Sequence, residues 1–363
     1  MSRTALERKI ARMIEADGPM PVSRFMALCL GHPQLGYYMT RDPFGAKGDF
    51  VTAPEVSQMF GELMGVWAMT QWRAMGSPSR FQLVELGPGR GTLMMDLLRA
   101  ARAMPEFIDA ATVRLIEMSP VLMTAQRQAL LKSGARVEWH LHLDEVRSDP
   151  MLLIANEFFD ALPVVQIERT PDGFFERAVG LDVDGKLQLG LMPVAVTPPE
   201  HALGAAIGAI VEMSPARADY AAIIAARLVA NPGAALIIDY GHSETAIGDT
   251  LQAVRRHQKV SILERPGETD ITAHVDFEAL GAVMRGAGAD VHGVLTQQTL
   301  MARLGLQTRA EMLSVNASAR ERADLVAAVS RLAGPHQMGQ LFKAMAAVSP
   351  GQAAPAAFGE DFT

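Results

Sequence analysis

An alternation that begins at residue 81 constrains this chain more than any other feature. Short apolar runs at Phe81–Leu86, Val113–Glu117, Arg136–His140 and Met151–Ala155 are separated by two segments of helical period, Thr92–Ala103 and Pro120–Lys132. Parallel strands need long crossovers, usually helical, so this alternation predicts βαβ units. The expected fold is therefore α/β: a Rossmann-like, mainly parallel sheet with helices on both faces. The pattern resumes further on. Ala216–Ala230 and Phe277–Gly286 read as helices, Ala234–Asp239 as the most apolar strand, and Val291–Leu295 as a further strand. Residues 297–333 read as mostly helical, and Leu341–Val348 as the last strand.

Two stretches break the alternation. Val164–Arg169 and Phe174–Val179 flank Pro171-Asp172-Gly173, and Val183 and Leu187 flank Asp184-Gly185. These are hairpin signals, so residues 164–200 are expected to form an antiparallel insertion. Residues 241–275 are polar and irregular, a second insertion. Residues 1–75 read as an N-terminal helical region, broken at Gly18-Pro19 and Gly31-His32-Pro33. It contains a long Gly- and Pro-rich loop over 36–54, and a loop of this length in a compact domain is often functional. The loop ends in Thr52-Ala53-Pro54-Glu55, which matches a capping box with Thr52 as N-cap and Glu55 at N3. The main domain then spans 76–348, and the Ala/Pro-rich tail over 349–363 is expected to be flexible.

Composition excludes several classes. Among 363 residues the longest apolar runs are five or six residues, too short for a membrane-spanning helix. A net charge of −7 argues against nucleic-acid binding by bulk electrostatics. The single cysteine, Cys29, excludes an internal disulfide and a Cys-cluster metal site, and no His/Asp/Glu spacing suggests zinc, so no metal is expected. The N-terminal segment has no apolar leader and carries Glu7, Glu15 and Asp17, which favours the cytoplasm of a bacterium-like cell.

The strongest local signal is FQLVELGPGRGT over 81–92. Three alternating glycines, Gly87, Gly89 and Gly91, follow a strand and open a helix. The chain must turn sharply there, and side chains would keep a cofactor off the backbone. An ordinary strand–helix turn needs one glycine, not three. Dinucleotide sites carry G-x-G-x-x-G, whose third glycine would fall on Thr92. The spacing here is G-x-G-x-G after Glu85, which suits S-adenosylmethionine, a cofactor without a pyrophosphate. Glu85, Pro88 and Thr92 complete the expected cradle, with Glu85 facing the cationic methionyl group. Glu117 follows the second strand, where a carboxylate can accept both ribose hydroxyls. Met118 can lie along the adenine, and Asp144 can accept from its exocyclic amine; a solvated loop aspartate is the plainer reading of Asp144. No Tyr-x-x-x-Lys pair supports a short-chain dehydrogenase.

The fourth strand runs straight into Asn156-Glu157-Phe158-Phe159-Asp160. Ligands of open α/β sheets lie beyond the carboxyl ends of the strands, so Asn156, Glu157 and Asp160 are expected at the cofactor's reactive end. Two carboxylates beside two aromatics suit a guanidinium, which takes paired hydrogen bonds from a carboxylate. The plainer reading is that Glu157 caps a helix and Asp160 is solvated. His242, at the end of the most apolar strand, is a candidate base, with a structural histidine as the alternative. His274 and Asp276 precede a helix and read as caps.

Taken together, GDFVTAPEVSQMFGE (48–62), VELGPGRGTLMMDLLR (84–99), VEWH (137–140), NEFFDALPV (156–164), IIDYGH (237–242), TDITAHVDF (269–277), LTQ (295–297) and MGQLFKAM (338–345) resemble the MidA-like methyltransferases. That group includes the mitochondrial protein arginine methyltransferase that acts in respiratory complex I assembly. The resemblance implies a seven-stranded class I methyltransferase fold and S-adenosyl-L-methionine as donor. It implies a protein substrate with an exposed arginine on the 49-kDa-type subunit of the complex I peripheral arm, or a bacterial counterpart. It also implies that the loop holding Asp49 and Thr52 closes over the donor. A small-molecule methyltransferase of the same fold and a non-catalytic assembly protein with a retained cofactor site are the alternatives.

Overall fold

The computed structural model describes residues 3–42 and 51–359. Two N-terminal helices, α1 (Ala5–Asp17) and α2 (Val22–Gly31), precede the long α3 (Gln58–Ala74). The central alternation runs β1 (Phe81–Leu86), α4 (Thr92–Ala101), β2 (Ala111–Ile116), α5 (Pro120–Leu130), β3 (Arg136–His140) and β4 (Met151–Asn156). After an insertion come α6 (Pro215–Ala230) and a ten-residue strand at Gly233–His242. The chain ends with α7 (Phe277–Gly286), a strand at Asp290–Thr296, further helices including α8 (Ala319–Ala333), and a last strand at Phe342–Val348.

The expected sheet is present. β1 pairs in parallel with β2 and β4, β2 with β3, and β4 with Gly233–His242. Phe342–Val348 inserts antiparallel between Gly233–His242 and Asp290–Thr296. Seven strands thus lie along one path, and a short pair at Val275–Asp276 extends the end of Gly233–His242. β1 and β4 stand side by side, but β2 and β3 continue to one side and Gly233–His242 to the other. The strand order reverses at that point, which opens a crevice at the carboxyl ends of β1 and β4.

Every residue of β1 and β4 is buried, because helices cover both faces. Alternate side chains of β1 serve opposite layers. Phe81 and Leu83 pack with Phe60, Trp67 and Leu97 of α3 and α4. Val84 and Leu86 pack with Ile224, Leu228, Phe277 and Met284 of α6 and α7.

The first insertion forms the expected antiparallel hairpins, Val165–Thr170 with Gly173–Leu181 and the latter with Leu187–Pro193. The second differs from expectation. Residues 241–275 are not irregular: Gln252–Arg255 pairs antiparallel with Gln258–Val260 and with Asp270–Thr272. Each of these strands is only three or four residues long, too short for a period-2 pattern to show against a polar background. Leu6, Ile10 and Phe25 of α1 and α2 share a core with Val164, Val179, Ala253 and Ile271 of the two insertions.

Two further expectations are corrected. Thr52 does start a short helix, Ala53–Val56, but its side chain makes no cap hydrogen bond. Glu55 is drawn away instead to Thr92 and Arg90 of the glycine loop, and Ser57 caps α3. The tail is not frayed over its described part. Ala357 is fully buried, and its carbonyl accepts from Arg303 Nη1 at 2.8 Å. Among the described residues no helix is long and apolar enough to cross a membrane.

Candidate active site

A cavity of about 970 Å³ opens at the switch point. On the cofactor side its wall is formed by Gly87, Gly89, Glu117 and Met118. Gly87 has φ +59°, Gly89 +53° and Gly91 +82°, a left-handed run that side chains resist. A Cβ on Gly87 would lie 2.9 Å from Phe158 Cδ2, so the glycine loop and the acidic motif can pack together only with glycine there. Gly91 is the N-cap of α4.

Glu117 is buried but faces the cavity. Its Oε1 accepts from Ser119 N at 2.8 Å and its Oε2 from Gln126 Nε2 at 3.0 Å. These donors fix the carboxylate while it faces the cavity, the orientation a carboxylate reading ribose hydroxyls requires. Burial raises its pKa, and the Ser119 and Gln126 donors oppose that rise. Gln126 also donates to Gly89 O at 2.7 Å and accepts from Trp139 Nε1 at 2.9 Å, tying loop, β2 end and β3 together. Nothing in the sequence marked Gln126; its role depends on a helix meeting a loop 37 residues away.

Glu85 lies beneath the loop, with Oε2 buried and without a partner among the described residues. Burial, with Glu117 adding repulsion, pushes its pKa up to about 8. Near neutral pH this carboxyl is therefore largely protonated, which removes the cost of an unpaired buried charge. The glycine cradle and the Glu117 acceptor pair fit S-adenosylmethionine; Glu85, expected to face the methionyl group, lies beneath the loop and is not among the lining residues.

The opposite wall carries the acidic motif. Glu157 and Asp160 both line the cavity. Glu157 sits at φ +51°, a strained conformation for a residue with a side chain. Its Oε1 accepts from Ala53 N at 3.1 Å and from Asn156 Nδ2 at 3.2 Å. Burial pushes its pKa up to about 7. The plainer reading holds for Glu157, which satisfies the first N–H of the Ala53–Val56 helix from across the fold, but not for Asp160, which is only 6% exposed. Asp160 Oδ2 accepts from the Tyr240 hydroxyl at 2.7 Å, while Oδ1 has no partner among the described residues. Buried Asp239 holds the turn itself, accepting from Phe159 N at 3.0 Å and Asp160 N at 3.1 Å. Buried Arg217 donates to the carbonyls of Phe159, Ala273 and His274 at 2.6–2.9 Å. Phe158 lines the cavity, whereas Phe159 is fully buried behind it.

Other expected residues lie elsewhere. Pro88, Gly91, Thr92 and Asn156 are not among the lining residues. Thr92 is engaged with Glu55 at 2.5 Å, and Asn156 supports Glu157. Thr52 lines the cavity; Asp49 lies outside the described residues. Asp144 is exposed and off the cavity, near Tyr220 and Arg227. His242 is also off the cavity, 3.8 Å from the Asp276 carboxylate. His257, His274 and His336 line it instead; His274 is stacked edge-on against Tyr240 at 5.6 Å, and Asp276 alone caps α7. The strand Gly233–His242 continues through His242, where it pairs in parallel with Asp276, and this sets the imidazole beside that carboxylate. Tyr38, Tyr240 and Asp270 also line the cavity, though none stood out by sequence spacing.

Residues 63–295 match a family model described as S-adenosyl-L-methionine-dependent methyltransferase. The chain is 34% identical to the mitochondrial protein arginine methyltransferase NDUFAF7 of Danio rerio, over 93% of this chain and 85% of that protein. It is 36% identical to the Mus musculus counterpart, over 93% and 83%. A Burkholderia thailandensis structure solved with S-adenosyl-homocysteine bound superposes with a TM-score of 0.87 at 28% identity, covering 98% of this chain and 95% of that one. With its glycine cradle, its Glu117 acceptor and this breadth of similarity, the chain belongs to the MidA-like family of S-adenosyl-L-methionine-dependent methyltransferases.

Proposed function

We propose that this chain methylates the guanidinium of an arginine in a protein, and that the target is the 49-kDa-type subunit of the complex I peripheral arm or its bacterial counterpart. The observation that carries the reading is that half-buried Glu157 and buried Asp160 line the same cavity as the glycine cradle. The names of the animal relatives add support. We assign the reaction to the bacterial cytoplasm, where the one buried thiol, Cys29, would stay reduced.

S-adenosylmethionine, held along Gly87, Gly89, Glu117 and Met118, supplies an electrophilic methyl group. The protein's own part is positioning and proton removal. The Glu157 carboxylate accepts N–H bonds from the guanidinium and aims one nitrogen lone pair at the methyl carbon. The apolar stem of the arginine lies along Phe158. Methyl transfer would exchange the donor's S–C bond for the N–C bond and leave S-adenosylhomocysteine as the neutral thioether; the proton that the nitrogen then releases goes to Glu157. A carboxylate with a pKa of about 7 suits this role near neutral pH. Asp239 and Arg217 keep the turn rigid, so positioning costs little motion.

The test is mass spectrometry of complex I peripheral-arm subunits co-expressed with and without this protein. A methylarginine present only with the enzyme is the expected result; identical spectra would overturn the assigned target. Glu157→Gln should keep S-adenosylhomocysteine binding within about threefold and lose transfer by roughly 100-fold or more. Transfer at the wild-type rate would refute the clamp. Gly89→Val, which puts a branched side chain on the cavity wall, should abolish cofactor binding by calorimetry.

A further inference from the structure

We infer that the mouth of the cavity reads the sequence around its target: it docks a protein segment whose arginine is flanked by acidic residues. The inference rests on the arginine reading of the cavity and extends it from the target side chain to its neighbours. Charge along the wall is sorted by depth. Asp160 and Asp270 are buried and Glu157 is half-buried, whereas Lys259, Arg331, His257 and His336 are all exposed. The bases come from two separate parts of the chain. His257 and Lys259 sit on the inserted hairpin of Gln252–Arg255 and Gln258–Val260. The two residues of its turn, Arg256 and His257, lie in the left-handed region at φ +51° and +60°. Glycine and asparagine are the usual residues of such turns. A bulkier side chain there stores strain of the kind found at binding sites. Arg331 lies in the last turn of α8, and His336 follows it.

Lys259 and Arg331 are held ready for a ligand, whereas the cations near them are spent. Buried Arg217 serves backbone carbonyls, and Lys343 donates to the carbonyls of Gln340 and Leu341. Among the described residues, neither Lys259 nor Arg331 forms a salt bridge; Gln337 Oε1 orients Arg331 by accepting from its Nη1 at 3.2 Å. Burial raises the pKa of Glu157, and Arg331 is among the groups that oppose the rise, so mouth and floor lie within Coulomb reach of each other. A cavity of about 970 Å³ is roughly 10 Å across, and an extended chain advances about 3.3 Å per residue. With the target arginine reaching the floor, acidic side chains within about three positions of it meet the bases at the mouth. A flanking lysine or arginine meets the same bases and is repelled, so the mouth discriminates by repulsion as well as by attraction.

The test uses short glycine-spaced peptides with a central arginine, carrying glutamate, glutamine or lysine on both sides of it. Each is titrated by calorimetry into the full chain saturated with S-adenosylhomocysteine. Wild type should bind the glutamate peptide about fivefold more tightly than the glutamine peptide at low salt, and the lysine peptide most weakly, with the differences shrinking as salt screens them. Lys259→Gln combined with Arg331→Gln should erase the preference. That variant should keep its affinities for the glutamine peptide and for S-adenosylhomocysteine within about twofold of wild type. Lys259→Glu combined with Arg331→Glu should reverse the order and favour the lysine peptide. A wild type that binds none of the peptides overturns the arginine reading and this inference with it. A wild type that binds all three equally overturns the acidic flank alone, as does a glutamine double variant that keeps the preference. A tenfold loss of S-adenosylhomocysteine affinity in that variant, with unchanged circular dichroism, also overturns it, because the cations would then serve the donor's carboxylate.

Discussion

At the residue scale, the site is built from carboxylates held out of water. Glu157 adopts φ +51° where a glycine would be unstrained, and such strain costs on the order of 1–3 kcal/mol. On the proposed mechanism the side chain there is the proton acceptor. Its pKa is raised to about 7, so the proton-accepting form grows as pH rises through that value. The expected kcat/KM profile climbs about tenfold per pH unit below 7 and levels off above about 8. A flat profile from pH 5 to 8 would remove Glu157 as the proton acceptor. Glu85 gives a second, opposite effect on stability. Its carboxyl is raised from an ordinary 4.5 to about 8, so the folded protein holds a proton that the unfolded chain has released. Stability from this group is therefore present at low pH and declines as pH rises from about 4.5 to 8. Glu85→Gln should flatten the fall in urea-unfolding free energy between pH 5 and 8 by up to a few kcal/mol. An unchanged pH dependence would contradict the buried-acid account.

At the element scale, what matters is how the glycine loop is held. It is braced from two sides: Glu55 of the short Ala53–Val56 helix reaches Arg90 and Thr92, and Gln126 of α5 reaches Gly89 and Glu117. Gln126 is fully buried, with its amide oxygen taken by Trp139 Nε1, so its rotamer is locked. Gln126→Leu conserves volume but removes the donor to Glu117 and the brace on Gly89. The expected result is about a tenfold loss of S-adenosylhomocysteine affinity, roughly 1.4 kcal/mol, with the fold retained by circular dichroism. Wild-type affinity would show that the loop holds its shape by glycine geometry alone. The sequence carried the loop and the start of α5, since both are local. Ser119 caps α5 three residues before Leu122. The brace was not legible because its ends lie 37 residues apart.

At the scale of the whole molecule, the parallel sheet carries the glycine cradle, while residues of the N-terminal region and the insertions line the rest of the cavity. Arg217, at the start of α6, is the bolt between them: it donates to Phe159 O in the acidic turn and to Ala273 O and His274 O beyond the inserted sheet. Burial lowers its pKa, and Asp239 and Asp160 oppose that drop. Arg217→Met would leave these carbonyls without a donor and the nearby acids without a cation. The expected cost is about 3–5 kcal/mol in equilibrium unfolding. A loss below about 1 kcal/mol would mean that the insertion is held by its apolar core alone.

The sequence by itself determined the βαβ alternation, the glycine cradle with Glu85 and Glu117, and the acidic Asn156–Asp160 motif. Each of these is written in periods and spacings within a few tens of residues, where local geometry decides. Tertiary structure alone decided which of those residues share a cavity. It put Glu157, Asp160 and His274 on the cavity wall and His242 off it, left Asp144 in solvent, and turned Glu55 from a helix cap into a brace. It also brought Tyr38, Tyr240 and Asp270 to the cavity from segments up to 232 residues apart. Such pairings depend on how hydrophobic layers and short inserted strands stack across the carboxyl edge, and side-chain periodicity along one segment carries no record of a neighbour contributed by another.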